Sequence, residues 1–329
     1  MELLLANHSS YPRIGDDAEH QVLRRTIAQW EKKEKTDGDL KAAENQMTEF
    51  ALREQLDAGL DIVTDGQIRW YDPVSHVAGK LDGVRINGLL RLFDTNFYFR
   101  QPIVTGPIRR REAILAEDFR FAQKNSSRPV KVVLTGPYTL TRLSAVEGNH
   151  SGGMNGLLDG FTAALAEEVA ALAAAGASII QVDEPSLLRQ PGDFPLAARS
   201  FKALAAGKGG AQIHATFYFG DAAPLYEKLQ TLDVDALALD FTYSPRLAEV
   251  IAAAGSSKPL SLGLVDGRNT KLEDASVVAR QIERLANRIG AARAILQPSC
   301  GLEYLPRDRA RLKLKRLAAI KNSLLGKSA

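Results

Sequence analysis

The sequence has one cysteine, little net charge and no long apolar run. A single cysteine in 329 residues excludes a disulfide scaffold and the multi-cysteine zinc-finger and iron–sulfur sites. The net charge of +3 gives no electrostatic argument for nucleic acid as a partner. No apolar run approaches the ~20 residues that span a bilayer, and Met1–Leu5 is too short for a signal peptide. We therefore expect a cytoplasmic protein that binds no nucleic acid and no membrane.

Short apolar runs alternate with longer amphipathic segments, which are typical of helices. One such helix, Leu157–Ala175, ends at Gly176, and another, Asp274–Ile289, ends at Gly290. Strands that alternate with helices predict a parallel sheet, and eight strands predict a closed (β/α)8 TIM barrel of the α/β class. The runs predicted as strands are Leu3–Ala6, Asp61–Thr64, Val132–Leu134, Ile179–Val182, Gln212–Thr216, Ala236–Leu239, Leu260–Leu264 and Ala294–Gln297.

A barrel of this kind takes ~250 residues, which leaves about 80 for insertions. A helical pair, Ala18–Glu34 and Leu40–Ala58, precedes the second strand, so we place an N-terminal helical insertion at about 18–58. A Gly-rich aromatic stretch, Val84–Arg111, predicts a β-hairpin insertion at about 84–111. Because no Pro/Ser/Gly-rich linker interrupts the chain, residues 1–329 are predicted to form a single barrel domain.

Polar side chains follow each predicted strand, where the loops of a barrel form one mouth. Ser10 follows the first strand, and Asp65 and Gln67 follow the second. Asp183 and Glu184 stand directly after a buried apolar run, so two adjacent carboxylates are expected at the mouth. Polar loop residues also serve as helix caps, which remains an alternative for about half of these positions.

Three further residues offer a candidate metal set. Cys300 follows the last strand, His214 lies inside the fifth, and Asp240 ends the sixth. Three protein ligands with one open position are typical of a catalytic zinc. A buried cysteine is also a small apolar core residue, and a histidine in a strand is also a hydrogen-bonded core residue. Both interpretations stay open on spacing alone.

A series of short motifs runs along nearly the whole chain: Ser10–Gly15, Gly59–Asp61, Asp65–Gln67, Trp70–Asp72, Phe93–Asn96, Leu134–Pro137, Gln181–Pro185, Tyr218–Asp221, Val265–Asn269 and Pro298–Gly301. In this order, the motifs resemble those of the cobalamin-independent methionine synthase superfamily, in its single-barrel (core) form.

The resemblance implies roles for several residues. Ser10 and Asp183 would hold the amino-acid part of a homocysteine-like substrate, and Gln67 stands where the family usually has a Glu that reaches the substrate amine. Cys300 matches the last zinc cysteine of the family, and Asp240 stands at the position of its zinc glutamate.

The family's His-x-Cys pair of zinc ligands falls on Thr216 and Tyr218, neither of which is a good zinc ligand. His214 lies two residues before Thr216 and would share its strand face, so it is the candidate replacement for the missing histidine. Several motifs, among them Trp70–Asp72 and Val265–Asn269, resemble the metal-free N-terminal barrel of the two-barrel members.

The predicted reaction is methyl transfer to the thiol of homocysteine, which gives methionine. A thiol has a pKa of ~8.5, and coordination to zinc would make it a thiolate. The methyl donor is a methylated folate or a methyl-corrinoid, the latter free or carried by a corrinoid protein. Glu184 is a candidate for orienting a ligand, with a structural ion pair as the alternative.

Two other functions are compatible with the sequence. One is a metal-free barrel that acts on another small acid or sulfur compound, with acid/base chemistry by Asp183, Glu184 and Asp65. The other is a non-catalytic barrel that pairs with a separate catalytic subunit. Metal content and methionine formation distinguish these alternatives from zinc-dependent methyl transfer.

Overall fold

A computed structural model describes residues 2–148 and 152–326 of the chain. Seven parallel strands form one curled sheet, and three more form a small sheet beside it. The strands are β1 (Glu2–Leu5), β2 (Leu81–Arg91), β3 (Tyr98–Arg110), β4 (Lys131–Thr135), β5 (Ala145–Val146), β6 (Ile179–Asp183), β7 (Gln212–Phe217), β8 (Ala236–Asp240), β9 (Leu260–Val265) and β10 (Arg293–Pro298). The curled sheet has the order β1-β10-β9-β8-β7-β6-β4.

The predicted second strand fills the remaining gap between β1 and β4. Ile62 forms a parallel bridge with Ala6, and Val63 forms one with Val130. The Lys131 amide also donates to the Val63 carbonyl at 2.8 Å. Two bridges therefore stand where the sequence predicted a strand over 61–64, and they close the sheet on itself. The predicted TIM barrel is confirmed.

Helices cover the outside of the barrel and follow its strands. They are α1 (Val22–Glu31), α2 (Asp37–Asp57), α3 (Ser75–Ala78), α4 (Ala116–Lys124), α5 (Pro137–Leu143), α6 (Gly153–Ala174), α7 (Phe194–Gly207), α8 (Tyr226–Leu229), α9 (Leu247–Ala254), α10 (Ala275–Ala286) and α11 (Arg307–Leu324). Gly176 follows α6 with a φ of 96°, which a residue with a side chain rarely adopts, so the predicted stop is correct. In the described part of the chain, no helix combines the length and apolar character needed to cross a membrane.

Both predicted insertions are present. Helices α1 and α2 form the helical pair, and a capping box starts α2: the Thr36 hydroxyl accepts from the Asp39 amide while the Asp39 carboxylate accepts from the Thr36 amide. Strands β2 and β3 form the hairpin. Its base is tied to α6 by the buried Glu168, which accepts from Arg110 at 2.7 Å and from the Ile114 amide at 2.8 Å. The base of the hairpin is thereby fixed against α6. The single-domain assignment for residues 1–329 stays a prediction.

The strand register decides which side chains reach the mouth together. Thr135 pairs with Asp183, and Asp183 pairs with Thr216. Thr216 in turn pairs with Ala238, two residues before the end of β8. Register partners on neighbouring parallel strands lie side by side, about 4.8 Å apart. Asp183 and Thr216 are therefore direct neighbours near the carboxyl ends of β6 and β7.

Candidate active site at the barrel mouth

The carboxyl ends of the barrel strands open into a cavity of about 520 Å³. Its walls come from the hairpin loop and from the loops after β7, β8, β9 and β10. The lining residues are Asp94, Thr95, Asn96, Phe97, Phe219, Tyr243, Arg268, Glu303 and Tyr304. Loops on this face carry the active site in TIM-barrel enzymes, so the cavity is the candidate substrate site.

One wall of this cavity is aromatic. The rings of Phe219 and Tyr304 meet edge to face with centroids 6.1 Å apart, and Phe97 meets Tyr304 in the same way at 5.2 Å. The Arg268 guanidinium lies 4.0 Å from the centroid of the Tyr243 ring. Flat rings beside a cation suit a planar ligand that carries an anionic group.

A smaller cavity of about 50 Å³ adjoins the large one, and the two share Phe97 and Glu303 as lining residues. Ser10 and Gln67 line the small cavity. The structure therefore brings together two residues that the sequence assigned to substrate binding. Gln67 has a φ of 52°, a conformation that non-glycine residues adopt rarely and mainly at functional sites.

Glu303 is a site residue that the sequence interpretation missed. The Ser10 hydroxyl donates a hydrogen bond to Oε2 of Glu303. Burial raises the pKa of Glu303 to about 6, against a smaller opposite effect of the Ser10 hydrogen bond. The available signal was an acidic residue between Leu302 and Tyr304 in the loop after the last strand. Glu303 lies three residues beyond Cys300, farther from the end of the predicted strand than the other candidate residues.

Asp183 ends β6 and is buried. Gln181 Nε2 donates to its Oδ1 at 2.8 Å, and the Tyr218 hydroxyl donates to Oδ2 at 3.3 Å. Burial raises the pKa of Asp183 to about 7, and the negative charge of Glu303 also raises it. Asp183 lines neither mouth cavity; it is buried within range of the charge of Glu303, and its predicted role in substrate binding stays a prediction.

Lys131 is a buried charged residue within range of Asp183 that the sequence interpretation missed; it lines the cavity beneath α4 rather than a mouth cavity. It begins β4, is buried, and its Nζ donates to Gln297 Oε1 at 3.3 Å. Burial lowers the pKa of Lys131 to about 7, while the charge of Asp183 acts in the opposite direction. The sequence did not predict that Lys131 is buried, because it follows a polar loop at 125–129 and lysine side chains are usually solvated.

Glu184 follows Asp183 in the chain and binds the start of α5. Its carboxylate accepts from the Tyr138 amide at 2.9 Å and from the Thr139 amide at 2.6 Å, the first amides of α5. Burial raises its pKa to about 7, while these hydrogen bonds lower it. Gly136 is required beside it, because a Cβ there would overlap the Glu184 carboxylate. Glu184 thus caps α5, and its predicted role in catalysis stays a prediction.

Asp65 points away from the mouth. It lines a separate small cavity with Asp118 and Phe119 beneath α4, and neither mouth cavity includes it. Its Oδ1 accepts from the Gln67 amide at 3.0 Å, which holds the turn that carries Gln67. The structure therefore places Asp65 behind the site rather than in it.

The structure does not bring His214, Asp240 and Cys300 together as a metal site. Within residues 2–148 and 152–326, no group of three His, Cys, Asp or Glu side chains could hold a metal ion. His214 pairs in register with Ala236, four residues before Asp240. At about 3.3 Å per residue, that offset is about 13 Å along the strand, whereas ligands lie about 2 Å from a zinc ion.

Each of the three side chains has another environment. Asp240 Oδ1 accepts from the Thr242 amide at 2.7 Å, and its Oδ2 accepts from the Phe219 amide at 3.3 Å. Burial lowers the pKa of His214 to about 3, with the charge of Lys131 adding to the effect. Burial, and then the charge of Asp240, raises the pKa of the Cys300 thiol. The residues present do not fit the three-ligand zinc site that the resemblance implies.

The two positions of the family's His-x-Cys pair lie inside the barrel. Tyr218 donates to Asp183, and its ring meets His8 edge to face at 5.1 Å. In the part of the chain that the structure describes, the buried Thr216 Oγ1 and Gln181 Oε1 have no hydrogen-bond partner. Buried polar atoms are normally paired, so the level of Asp183 offers unused hydrogen-bonding capacity to a ligand or a water molecule.

The family model described as "Cobalamin-independent synthase, Catalytic domain" matches residues 10–322. The chain belongs to this family. It is 29% identical over 309 residues to a protein named methionine synthase from Saccharolobus solfataricus. The alignment covers 93% of this chain and 90% of that relative. The resemblance seen in the motifs is therefore confirmed.

A longer relative aligns over only part of its length. The chain is 31% identical over 370 aligned positions to a protein named 5-methyltetrahydropteroyltriglutamate–homocysteine methyltransferase from Ralstonia pickettii, and it covers 46% of that protein. Among solved structures, a B12-independent methionine synthase from Shewanella in complex with selenomethionine superposes with a TM-score of 0.81. That alignment covers 99% of this chain at 22% identity, so it supports the fold alone.

Proposed function

We propose that this chain is a methyltransferase that transfers a methyl group to the thiol of homocysteine and releases methionine. The observation that carries the proposal is the position of Glu303, a carboxylate that lines both mouth cavities, with Asp183 buried within range of its charge. An amino acid with a thiol presents one cation to bind and one proton to remove. The family membership supports the same substrate class.

The large cavity is the proposed site of the methyl donor. Its volume of about 520 Å³ lies within the range of small-molecule sites, which is about 300–1,000 Å³. A methylated folate has a flat bicyclic ring that would stack on Tyr304 and Phe219, with Arg268 near its anionic end. A methyl-corrinoid is much larger and would rest on the rim instead. The aromatic wall therefore favours the folate, and the corrinoid stays the second candidate donor.

In the proposed reaction, Asp183 removes the thiol proton. The S–H bond breaks and the proton passes to the Asp183 carboxylate. The thiolate then forms a bond to the methyl carbon as the bond from that carbon to the donor's nitrogen or cobalt breaks, and the donor keeps the electron pair. A folate nitrogen also takes up a proton, so the proton held by Asp183 ends on the folate; with a corrinoid donor it passes to solvent. A base with a pKa of about 7 is better matched to a thiol than an ordinary carboxylate. Tyr218, which donates to the same carboxylate, orients it.

The proposed reaction does not use the zinc that the resemblance implies. His214 stands four residues lower in the sheet than Asp240, and Asp240 is bonded to the amides of its own loop. The residues of this chain therefore perform the binding and the proton transfer themselves. Removal of metal ions is expected to leave methyl transfer unchanged.

The test is methionine formation by the purified, chelator-treated chain from homocysteine, with methyltetrahydrofolate and methylcobalamin offered in separate reactions. Asp183→Asn is expected to lower kcat by about 10²–10⁴, the usual contribution of a general base. Asp221→Asn is the matched control, because Asp221 is exposed and only accepts from the Ala223 amide in the loop after β7. If Asp183→Asn keeps full kcat, Asp183 is not the base. If no methionine forms with either donor, the proposed function is wrong.

A further inference from the structure

We infer that Glu303 is the anionic partner of the substrate's ammonium group. This inference rests on the proposed function and assigns the amino-acid end of the same site. The resemblance gives the amine to a glutamate at the position of Gln67, where this chain has a neutral amide. Glu303 supplies the missing negative charge from the lining of the same small cavity.

The geometry of the small cavity supports this assignment. Ser10, Gln67 and Glu303 all line it, and Glu303 also lines the large cavity. A ligand whose amine occupies the small cavity can therefore extend its sulfur toward the proposed donor site. Gly301 is required at this place, because a Cβ would overlap both the Ser10 hydroxyl and the Glu303 carboxylate.

The Ser10 hydroxyl shows the polarity of this end of the site. It donates its proton to Glu303, so its oxygen is left to accept a hydrogen bond from a ligand. A substrate carboxylate beside Ser10 would also lie beside the Glu303 carboxylate, and like charges at close range are unfavourable. An ammonium group in the same place meets a carboxylate and a hydroxyl oxygen. Ser10 is therefore a positioning residue for Glu303 rather than the partner of the substrate carboxylate.

Asp183 is less suited to the amine than Glu303. Both of its oxygens accept hydrogen bonds from the protein, one from Gln181 and one from Tyr218. Lys131 also supplies a positive charge in its neighbourhood. Among the described residues, the side chain that hydrogen-bonds to Glu303 is Ser10, which carries no charge. Glu303 thus keeps more of its negative charge available to a ligand.

The experiment compares two ligands by titration calorimetry on the intact chain at pH 7.5. One is methionine, and the other is 4-(methylthio)butyrate, which lacks only the amine. We expect Glu303→Gln to weaken methionine binding about 30-fold or more, as loss of one partner of a buried ion pair does, and to leave the analogue's affinity unchanged. Glu227→Gln is the control, since Glu227 is exposed on α8.

A second variant separates a lost charge from a damaged fold. Gln67→Glu combined with Glu303→Gln moves the carboxylate from one lining residue of the small cavity to another. The double variant is expected to recover most of the preference for methionine over the analogue. Recovery requires a folded cavity, so misfolding of the single variant cannot produce this pattern.

Three results would overturn the inference: wild type binds both ligands equally, Glu303→Gln weakens both equally, or Asp183→Asn rather than Glu303→Gln abolishes the preference for the amine. The binding measurement does not depend on turnover. Amine-dependent binding without methyl transfer would contradict the proposed function and support the role of Glu303. Methyl transfer by the wild type, together with unchanged methionine affinity in Glu303→Gln, would support the proposed function and contradict the role of Glu303.

Discussion

The Ser10 hydroxyl donates to the Glu303 carboxylate across 293 positions of sequence. The contact joins the loop after the first strand to the loop after the last. It is possible because β1 and β10 are neighbours, with Leu3 opposite Ala294. The Leu302 amide also donates to the Ser10 carbonyl at 3.0 Å, which fixes the two loops against each other. The amine site thus lies at the seam of the barrel, the place where the first strand, β1, pairs with the last, β10.

The affinity for methionine is expected to fall below pH 6. Burial raises the pKa of Glu303 to about 6, so the carboxylate is ionised above that pH and protonated below it. An ammonium group binds the ionised form, and each further unit of acidity should weaken binding up to about tenfold. Calorimetry between pH 5 and 8 measures this. In Glu303→Gln the affinity for methionine should not change over the same pH range. If it falls with acidity as in the wild type, another group is responsible for the pH dependence.

Glu184→Ala is expected to destabilise the fold without affecting turnover by the folded protein. The substitution leaves the amides of Tyr138 and Thr139 without their acceptor, at about 1–3 kcal/mol for each buried group. Glu184→Gln keeps one acceptor oxygen and should cost less. Urea unfolding measures both. Normal stability with lost methyl transfer in Glu184→Gln would instead make Glu184 catalytic.

Lys131→Met is expected to move the acid limb of the rate profile to higher pH. The charge of Lys131 lowers the pKa of Asp183, so its removal should raise that pKa further above 7 and leave less base at neutral pH. The measurement is kcat against pH for both proteins. Lys228→Met, an exposed change on α8, is the matched control. An unshifted profile would show that Asp183 is not the titrating base.

Cys300 is expected to be unreactive in the folded protein and irrelevant to metal content. Its side chain is buried, and burial raises the pKa of the thiol, so little thiolate is available to a reagent such as DTNB. Labelling should require denaturant. Elemental analysis should give the same zinc content for wild type and Cys300→Ser. One zinc per chain that disappears with the substitution would restore the three-ligand interpretation.

The barrel was predictable because its signal is local. Apolar β-rich runs such as Ile179–Val182 and Leu260–Leu264 coincide with β6 and β9 to within a residue. The weakest agreement is at Asp61–Thr64, where only Ile62 and Val63 form bridges. Periodicity shows that a segment is extended and apolar. It does not show how many backbone hydrogen bonds the segment makes with its neighbours.

The metal set failed because height in the barrel is not visible in the sequence. His214 and Asp240 each lie in a strand that leads to the mouth, so both were expected to reach it. The register pairs His214 with Ala236, and Asp240 pairs with Gly263 at the rim. Spacing within one strand is readable from sequence, whereas the offset between strands is set by how the sheet closes.

Glu303 and Lys131 were missed for a different reason. Both are charged residues in stretches that look solvent-exposed, one in a loop and one at the start of a strand. Lys131 is buried because the closed barrel places the start of β4 in the interior, and Glu303 is half-buried because the loop after β10 folds over Ser10. Charge is a guide to exposure only where no other part of the chain covers the residue.

The seam between β1 and β10 has a consequence for biosynthesis. A ribosome delivers Ser10 almost 300 residues before Glu303, so the growing polypeptide carries half of the amine pocket for most of its translation. The pocket exists only when the final strand docks beside the first. Ligand recognition is therefore acquired late, at the moment the ring closes, and truncation before β10 would leave a chain unable to distinguish an amino acid from its deaminated analogue.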